Sequence, residues 1–404
     1  MLIIIIFATA LLLSFALAPF PYLKTYVRLW RYVLLVQRPE IDLSARLKQA
    51  RFLLHNGALI PLMTLLWYID ELFFRNYRKQ TVNPLFIIGQ PRCGTTLLHR
   101  TLAADQENFF AVRHFEWRYP FICVQLLIKK LGLEERLRSA SYWPDTHTGR
   151  MAAQMHPNRL DDFEEDGIFF EERFLHHLFI FLRFPYPDLL EYLDDFPSLP
   201  EKIQKRMLNI HHRTLQKLSY LRGGKPRYYL SKEVTSHNKI PHMLQCYPDG
   251  KFIVIVRPTS DFMDSLMALV QTSTLVKTGI DPIRIKGWRE AFLHRMRRDC
   301  GQLVELCANE ITLQRQIRLS YNIFISRIFD TIKFLYHELN LELNSDYARY
   351  LQSLESNQET RSRGYEYPHQ EAFGLSVYDA FVHETEQNSR LSIAAKPSQK
   401  LHQL

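Results

Sequence analysis

The hydrophobic pattern of the chain begins with an uninterrupted apolar run at the N-terminus. Residues 1–18 (MLIIIIFATALLLSFALA) carry no charged side chain, and the apolar character continues to residue 23. Because about 20 apolar residues in a helix cross the hydrocarbon core of a bilayer, residues 1–23 are predicted to form a transmembrane anchor. A cleaved signal peptide is the alternative, since residues 16–18 (ALA) resemble a cleavage site, although no basic region precedes the run.

An amphipathic region follows the apolar run. In residues 24–82, apolar and basic residues recur at helical spacing, which predicts a helical collar. Its most apolar part, residues 59–69, is expected to be a buried or interfacial helix rather than a second span. Both a packed helical subdomain and a membrane-surface element fit this collar. The basic residues after the run place the body on the cytoplasmic face of a membrane, and a lumenal body, as in a type II Golgi protein, is the alternative.

From residue 83 to residue 404, short apolar runs alternate with helical patterns. Strands separated by helices favour a parallel sheet with helices on both faces. The predicted fold class is therefore α/β, with a P-loop-type parallel sheet that follows the anchor and the collar. The strands are predicted over residues 84–89, 227–230, 251–256 and 317–321, and the helices over residues 95–104, 261–270, 288–307 and 323–339.

Composition and charge narrow the classes of partner and site. The chain has 51 Lys and Arg against 42 Asp and Glu, a formal net charge of +9. This excess favours an anionic partner, without choosing among a phosphate group, a nucleic acid and an acidic membrane. Five cysteines without a CxxC pair argue against a disulfide scaffold or a cysteine zinc site. No metal is expected either, because no HExxH-type spacing occurs.

The clearest chemical signal is a strand, a glycine-containing loop and a helix in residues 84–101 (PLFIIGQPRCGTTLLHRT). Gly89 and Gly94 have the spacing of the GxxxxGK[ST] nucleotide loop, but Thr95 occupies the lysine position and the basic residue is Arg92. Backbone N–H groups in such a loop and at the following helix N-terminus bind phosphate. The loop is therefore predicted to bind a phosphate group, whereas hydrolysis of a γ-phosphate fits poorly without the lysine.

The segment PRCGTTLLHRTL resembles the 5′-phosphosulfate loop of the sulfotransferases that use 3′-phosphoadenosine 5′-phosphosulfate (PAPS), and specifically their bacterial-type, membrane-linked branch. This resemblance assigns five residues to the 5′ end of PAPS. Cysteine stands where the family usually has serine, so only backbone contacts are expected at that position. The assigned residues are Arg92, Cys93, Gly94, Thr95 and Thr96.

A second motif carries the same resemblance. A predicted strand ends at Arg257, and Ser265 follows eight residues later in a predicted helix. In the family, an arginine and a serine at this separation hold the 3′-phosphate of the nucleotide. Weaker resemblances are found at residues 229–232 (YLSK), at the HP of residues 156–157 with the EED of residues 164–166, and in a closing segment at residues 361–373.

The resemblance implies sulfuryl transfer from PAPS to a hydroxyl or amine acceptor without a metal. Glu116 is the predicted general base and His114 the alternative, because family members carry a glutamate or a histidine in this region. Aromatic neighbours of Glu116 would provide an apolar setting, which favours a basic carboxylate. Lys232 is predicted to stabilise the departing phosphate oxygen. Residues 164–166 are left out of this assignment, because the N-terminus of a helix explains an acidic trio equally well.

Two rival functions stay open at this point. A P-loop kinase or other nucleotide-binding enzyme would require Mg²⁺ and a later strand that ends in aspartate, but the best later strand ends in Arg257. A catalytically inactive, membrane-bound nucleotide-binding scaffold is disfavoured by the intact set of candidate residues. No nucleic-acid partner is expected. The anchor and collar suit a lipid or other hydrophobic alcohol as acceptor, while carbohydrate and protein tyrosine stay open, and the acceptor pocket is expected within residues 117–225.

Overall fold

The computed structural model describes residues 2–19, 23–193, 196–224, 228–235, 237–359 and 375–388. The predicted closing segment, residues 361–373, lies outside the described residues. All structural statements below concern the described part of the chain.

Three helices precede the sheet: α1 (Leu2–Leu17), α2 (Leu23–Leu35) and α3 (Leu43–Phe73). The N-cap of α3 is Asp42, whose side chain accepts a hydrogen bond from Ala45 N at 2.8 Å. The apolar residues 59–69 are the C-terminal half of α3 rather than a separate element. Within the described residues, α3 is the helix that is long and apolar enough to span a membrane.

The sheet has five parallel strands in the order β2-β3-β1-β4-β5. Every position of the central strand β1 is buried, as expected for a parallel sheet covered on both faces. The predicted α/β fold with a parallel sheet is thus confirmed. The strands are β1 (Pro84–Gly89), β2 (Phe109–Phe110), β3 (Tyr228–Glu233), β4 (Lys251–Val256) and β5 (Gln316–Ser320).

Helices cover both faces of the sheet. Those before β5 are α4 (Thr95–Ala103), α5 (His114–Arg118), α6 (Ile122–Lys130), α7 (Glu134–Ser139), α8 (His147–Met155), α9 (Gly167–Glu171), α10 (His177–Phe181), α11 (Pro187–Leu193), α12 (Glu201–Leu221), α13 (Ile240–Met243), α14 (Thr259–Thr278), α15 (Trp288–Ala308) and α16 (Glu310–Leu313). Those after β5 are α17 (Tyr321–Ser326), α18 (Ile328–Glu338), α19 (Ser345–Glu359) and α20 (Ser376–Asn388).

The core consists of two hydrophobic clusters, one on each face of the sheet. Successive residues of a strand point to opposite faces, so the continuous apolar runs of β1 and β4 supply both clusters. One face, covered by α14 and α15 among others, carries Phe86, Ile88, Phe252, Val254 and Val256. The other, covered by α4 and α18, carries Leu85, Ile87, Ile253, Ile255 and Leu319.

Three details differ from the prediction. β2 was not predicted, because two residues are too few for a detectable pattern. The helix predicted over residues 323–339 is divided at Arg327, whose backbone is not helical, with φ −146° and ψ 60°. β3 continues to Glu233, so Lys232 lies inside a strand at the carboxyl edge of the sheet rather than beyond the strand end.

Candidate active site

The loop between β1 and α4 has the geometry of a phosphate-binding loop. Gly94 is the N-cap of α4 with φ 87°, and a Cβ there would lie 2.6 Å from the Tyr321 ring. At Gly89 a Cβ would lie 2.4 Å from the Ile255 carbonyl oxygen. Both positions therefore require glycine. Arg92 also has a positive φ of 71°, a strained conformation for a residue with a side chain.

The two predicted phosphate motifs meet in one cluster. Arg92 Nε donates a hydrogen bond to Ser265 Oγ at 2.8 Å, and Arg257 Nη1 donates to the Arg92 carbonyl oxygen at 3.1 Å. The Arg257 guanidinium lies 4.3 Å from the centroid of the Tyr321 ring. Its Nε atom is buried and has no hydrogen-bond partner among the described residues. An anionic group is the kind of ligand that would satisfy this donor.

Lys232 lies beside the same loop. It is 2% exposed, and its Nζ donates a hydrogen bond to Thr96 Oγ1 at 3.1 Å. Together with Arg92, Gly94, Thr95 and Arg257, these two residues line a cavity of about 410 Å³. The carboxyl ends of β1, β3 and β4 thus bring most of the predicted cofactor residues to one place.

Cys93 faces away from the cavity. Its side chain is fully buried in the core, with Sγ 3.9 Å from the Tyr378 hydroxyl, and burial raises the pKa of the thiol to about 12. Only the backbone of Cys93 is therefore available to a ligand, in line with the expectation drawn from its replacement of serine.

Glu116, the predicted base, is not among the described residues that line the cavity. Its two carboxylate oxygens accept hydrogen bonds from Arg222 Nη2 at 2.8 and 2.7 Å. One of them also accepts from the Arg113 backbone N–H at 2.8 Å, which caps α5. These three hydrogen bonds occupy both carboxylate oxygens of Glu116. The structure thus places Glu116 in a stabilising ion pair apart from the phosphate loop.

His114, the alternative base, does line the cavity. Arg118 Nε donates a hydrogen bond to His114 Nε2 at 3.0 Å, so a neutral imidazole carries its proton on Nδ1. Burial, followed by the positive charge of Arg118, lowers the pKa of His114 to about 4. The imidazole is therefore neutral at pH 7, and its basic lone pair is already occupied by the arginine.

Glu165 is the cavity residue with the properties of a base. It is buried in the cavity wall, and its Oε2 has no hydrogen-bond partner among the described residues. Burial raises the pKa of Glu165 to about 7, although the nearby Lys232 acts in the opposite direction. The backbone of the next residue, Asp166, donates to the Lys232 carbonyl oxygen at 3.2 Å, which ties this segment to β3.

Asp166, the last residue of the acidic trio, has a structural role. Asp166 accepts hydrogen bonds from the Tyr229 hydroxyl at 2.6 Å, Ser231 Oγ at 2.8 Å and His211 Nε2 at 3.1 Å. It therefore anchors the segment to the sheet, and its side chain does not cap α9. The EED signal was visible in the sequence, and the trio does directly precede α9, but the Asp166 side chain bonds to β3 and α12 instead of capping that helix.

The remaining wall of the cavity is largely apolar. A polar pair lies in it, where Lys277 Nζ donates to the Tyr142 hydroxyl at 2.6 Å. The Tyr142 ring packs against His114 with centroids 4.8 Å apart. The apolar lining, which includes Ile168, Leu178, Phe179, Leu182, Leu269 and Val270, can accommodate a hydrocarbon chain. Part of it comes from residues 117–225, the range expected for the acceptor pocket, and part from α14.

Comparison with known proteins gives the family. The model of the Sulfotransferase family matches residues 84–345. The chain belongs to the sulfotransferase family. The predicted membership is thus confirmed, and PAPS is the co-substrate that this family uses in general.

A curated relative of this sulfotransferase is the omega-hydroxy-beta-dihydromenaquinone-9 sulfotransferase Stf3 of Mycobacterium bovis. It is 29% identical over 189 residues, which are 43% of this chain and 42% of the relative, and the Mycobacterium tuberculosis (strain CDC 1551 / Oshkosh) protein of the same name matches to the same extent. The match thus covers less than half of the length of these curated relatives.

Two crystal structures share the fold of this sulfotransferase. Sulfotransferase STF9 from Mycobacterium avium has a TM-score of 0.60 at 16% identity, covering 87% of this chain and 85% of that one. STF1 from Mycobacterium tuberculosis H37Rv has a TM-score of 0.58 at 15% identity, covering 90% of each chain.

In the part of this chain that the structure describes, no group of three or more His, Cys, Asp and Glu side chains is placed to hold a metal ion.

Proposed function

We propose that this sulfotransferase transfers a sulfuryl group from PAPS to a hydroxyl group on an apolar acceptor. One observation carries the proposal: Lys232, Thr96 and Glu165, whose Oε2 has no hydrogen-bond partner in the part of the chain that the structure describes, line one cavity beside the phosphate loop. A donor pair for a leaving phosphate and a base for an acceptor hydroxyl are the groups that sulfuryl transfer requires.

The residues at the loop fit the phosphate groups of PAPS. The N-terminus of α4 and the N–H groups of the loop suit the 5′ end, because their partial positive charge favours an anion. Arg257 and Ser265 suit the 3′-phosphate, since Arg257 keeps a buried donor without a partner and Ser265 is held next to it by Arg92. A P-loop kinase fits less well, because the position of its phosphate-binding lysine is Thr95.

We place the general base at Glu165 rather than at Glu116 or His114. PAPS, when bound, supplies the sulfuryl group and a phosphate leaving group. Glu165 takes the proton of the acceptor hydroxyl, and a pKa of about 7 matches this task near neutral pH. Lys232 and Thr96 donate hydrogen bonds at the oxygen where negative charge develops.

The acceptor we propose is an alcohol on a long apolar molecule, such as a lipid. The apolar lining of the cavity supports this class. The relative Stf3 bears the name of an omega-hydroxylated menaquinone sulfotransferase, so a lipid alcohol is an acceptor of a related protein. Leu182 belongs to the apolar lining, and the next residue, Arg183, accepts a hydrogen bond at 2.9 Å from Gln49 of α3 through its carbonyl oxygen. α3 is therefore attached to the body next to this lining.

The location we propose is the cytoplasmic face of a membrane, because the anionic lipids of that leaflet attract the basic residues that follow the apolar run. Protease treatment of sealed membrane vesicles tests the orientation. Digestion of the body in vesicles that expose the cytoplasmic face supports it, and protection there contradicts it.

Calorimetry with adenosine 3′,5′-bisphosphate, 5′-AMP and ATP tests the nucleotide assignment. A hydrogen bond to a charged group contributes about 1.5–3 kcal/mol, so loss of the 3′-phosphate should weaken binding roughly tenfold to a hundredfold. In Arg257→Ala this preference should disappear. Equal affinity of the wild type for the bisphosphate and 5′-AMP, or tighter binding of ATP, would contradict the proposal.

Transfer of label from PAPS to a panel of apolar primary alcohols tests the reaction itself. The corresponding methyl ethers are the matched controls, because they lack the reacting hydroxyl. We expect labelled product from at least one alcohol and from none of the ethers. An inactive chain that still binds the bisphosphate would support the scaffold alternative.

A further inference from the structure

The N-terminal helices leave an unusually apolar surface uncovered. Along α3, five leucines at near-helical spacing are each at least half exposed: Leu47, Leu54, Leu62, Leu65 and Leu72. Their spacing places them on one side of the helix. Exposed apolar residues on α1 and α2 extend this surface. Apolar patches of this kind mark a binding surface or a membrane contact rather than ordinary solvent exposure.

The opposite side of α3 is fastened to the body near both ends. Gln49 donates to the Arg183 carbonyl oxygen at 2.9 Å. Asp70 accepts from the backbone N–H groups of Ile122 at 2.7 Å and Cys123 at 3.0 Å, and lies 3.3 Å from Lys217 Nζ. Gln49 and Asp70 are 21 positions apart, which corresponds to about 32 Å of helix, roughly the thickness of a bilayer core.

These two attachments exclude α3 as a simple transmembrane helix with the body outside the bilayer. If α3 crossed the membrane, the segments around Arg183 and Lys217 would lie at opposite faces, and the polar body between them would be drawn into hydrocarbon. Polar groups without hydrogen-bond partners are strongly unfavourable in hydrocarbon. A helix that lies in the plane of the membrane avoids this cost, because only its exposed side enters the lipid.

α1 runs alongside α3. The Ser14 carbonyl oxygen accepts from Thr64 Oγ1 at 3.4 Å, and the Leu17 carbonyl oxygen accepts from the Tyr68 hydroxyl at 3.1 Å. Arg206, on α12 of the body, donates to the carbonyl oxygen of Ala18. α1 has 16 residues, about 24 Å of helix, which is shorter than a bilayer core.

The charges on the same helices select the partner. Residues 23–73 contain seven Lys and Arg against four acids, and two of these, Asp70 and Glu71, pair with Lys217 of the body. Lys24, Arg31 and Lys48 are exposed among the apolar residues. A basic, amphipathic helical surface binds the headgroup–acyl boundary of an anionic membrane, whereas two copies of it would repel each other.

We propose that α1, α2 and α3 form an in-plane membrane-binding platform, residues 2–73, that seats the exposed leucines in the interface of an anionic bilayer. This replaces the transmembrane anchor predicted for residues 1–23 by a surface that enters one leaflet. The platform does not depend on the proposed reaction, since the residues that form it are separate from the phosphate loop.

A topology experiment on the full chain separates the two arrangements. Leu2→Cys places a thiol at the exposed start of α1, and Ser44→Cys and Arg75→Cys place one at an exposed position near each end of α3. Each variant is made in a Cys246→Ser background because Cys246 is exposed. Sealed membrane vesicles from expressing cells are treated with a membrane-impermeant maleimide. We expect all three cysteines to react from the same side without detergent. Reaction of one of them only after detergent would overturn the in-plane arrangement.

Vesicle flotation with purified protein tests the partner. Leu62→Glu with Leu65→Glu should lower binding to vesicles of phosphatidylcholine and phosphatidylglycerol by on the order of tenfold or more. Ile311→Glu with Leu313→Glu is the matched control, because these residues are 57% and 50% exposed but lie on α16. Circular dichroism checks that both variants fold. Equal loss in both, or a wild type that forms stable dimers and does not float, would overturn the proposal.

Discussion

The side chains of Glu116 and Glu165 lie in environments opposite to those that their sequence neighbours suggest. Glu116 lies in α5 between two aromatic residues, Phe115 and Trp117, so its local sequence describes an apolar environment. The structure nevertheless supplies it with an arginine from far along the chain. Glu165 has an acidic residue on each side, which is typical of a solvent-exposed segment. The structure nevertheless buries it in the cavity wall, where its Oε2 has no hydrogen-bond partner among the described residues. Partners distant in the chain, rather than sequence neighbours, thus decide which carboxylate can act as a base.

The physical cause of the difference is the stabilisation of the anion. Arg222 lies 106 residues after Glu116 and donates to both of its oxygens, so these oxygens already have a charged partner. Glu165 loses the solvation of its anion, and Lys232 compensates only in part, so its pKa rises to about 7. Four experiments test whether Glu165 and Glu116 differ in this way, in order of decreasing expected effect.

The largest effect should come from Glu165→Gln, which keeps the shape of the side chain but removes the base. We expect kcat to fall about 10²–10⁴-fold, while affinity for adenosine 3′,5′-bisphosphate is retained. Transfer from labelled PAPS and a binding titration measure the two quantities. Unchanged turnover would exclude Glu165 as the base.

Stability provides the folding control for this variant. The raised pKa of Glu165 means that its contribution to stability is present below the unfolded-state pKa and is lost as pH rises from about 4.5 to about 7. Glutamine does not ionise, so Glu165→Gln should melt at or above the wild-type temperature at pH 8. If Glu165→Gln melts at a lower temperature than the wild type, any loss of turnover in this variant is assigned to misfolding.

Lys232→Met should lower kcat about 10²–10³-fold, because it removes a donor at the departing phosphate oxygen. Methionine retains a flexible apolar stem of similar length, so packing of β3 should survive. The variant should also move the titration of Glu165 to higher pH, since Lys232 lowers the pKa of that carboxyl. A pH profile of the residual activity checks this. An unshifted profile would mean that the charge of Lys232 does not act on the carboxyl of Glu165.

The pH dependence of the wild type is the third test. Because Glu165 must be ionised to accept a proton and its pKa is about 7, kcat/KM should rise with pH through neutrality. Below about pH 6 it should fall roughly tenfold per pH unit. A profile that is flat down to the ordinary pKa of a glutamate would point to another base.

Glu116→Gln should have the smallest effect on catalysis. We expect turnover within about threefold of the wild type, since the residue stabilises no charge in the transition state. Losing a hydrogen-bonded charge partner of Arg222 should instead destabilise the fold by about 1–3 kcal/mol. Thermal unfolding beside the transfer assay measures both. A large loss of kcat with a normal melting temperature would restore Glu116 as the base.

Much of the nucleotide end of the cavity could be predicted because it is built from local patterns. A buried strand, a turn with Gly89 and Gly94, and a helix form one contiguous unit. Parallel strands then bring their carboxyl ends to one edge, so Arg257 at the end of β4 arrives beside Arg92. Local periodicity could not predict the two-residue β2, which exists only because Tyr228 and Tyr229 of β3 pair with it.

The parallel α/β fold, the phosphate loop and the family could be predicted from the sequence, because each depends on residues close together in the chain. Which carboxylate lies in the cavity follows from the tertiary structure alone, because remote segments supply Arg222 as the partner of Glu116, and burial beside Lys232 sets the pKa of Glu165. The tertiary structure likewise decided how the apolar N-terminal residues are used. Hydropathy measures apolar content alone, whereas the hydrogen bonds of Gln49 and Asp70 to the body orient α3.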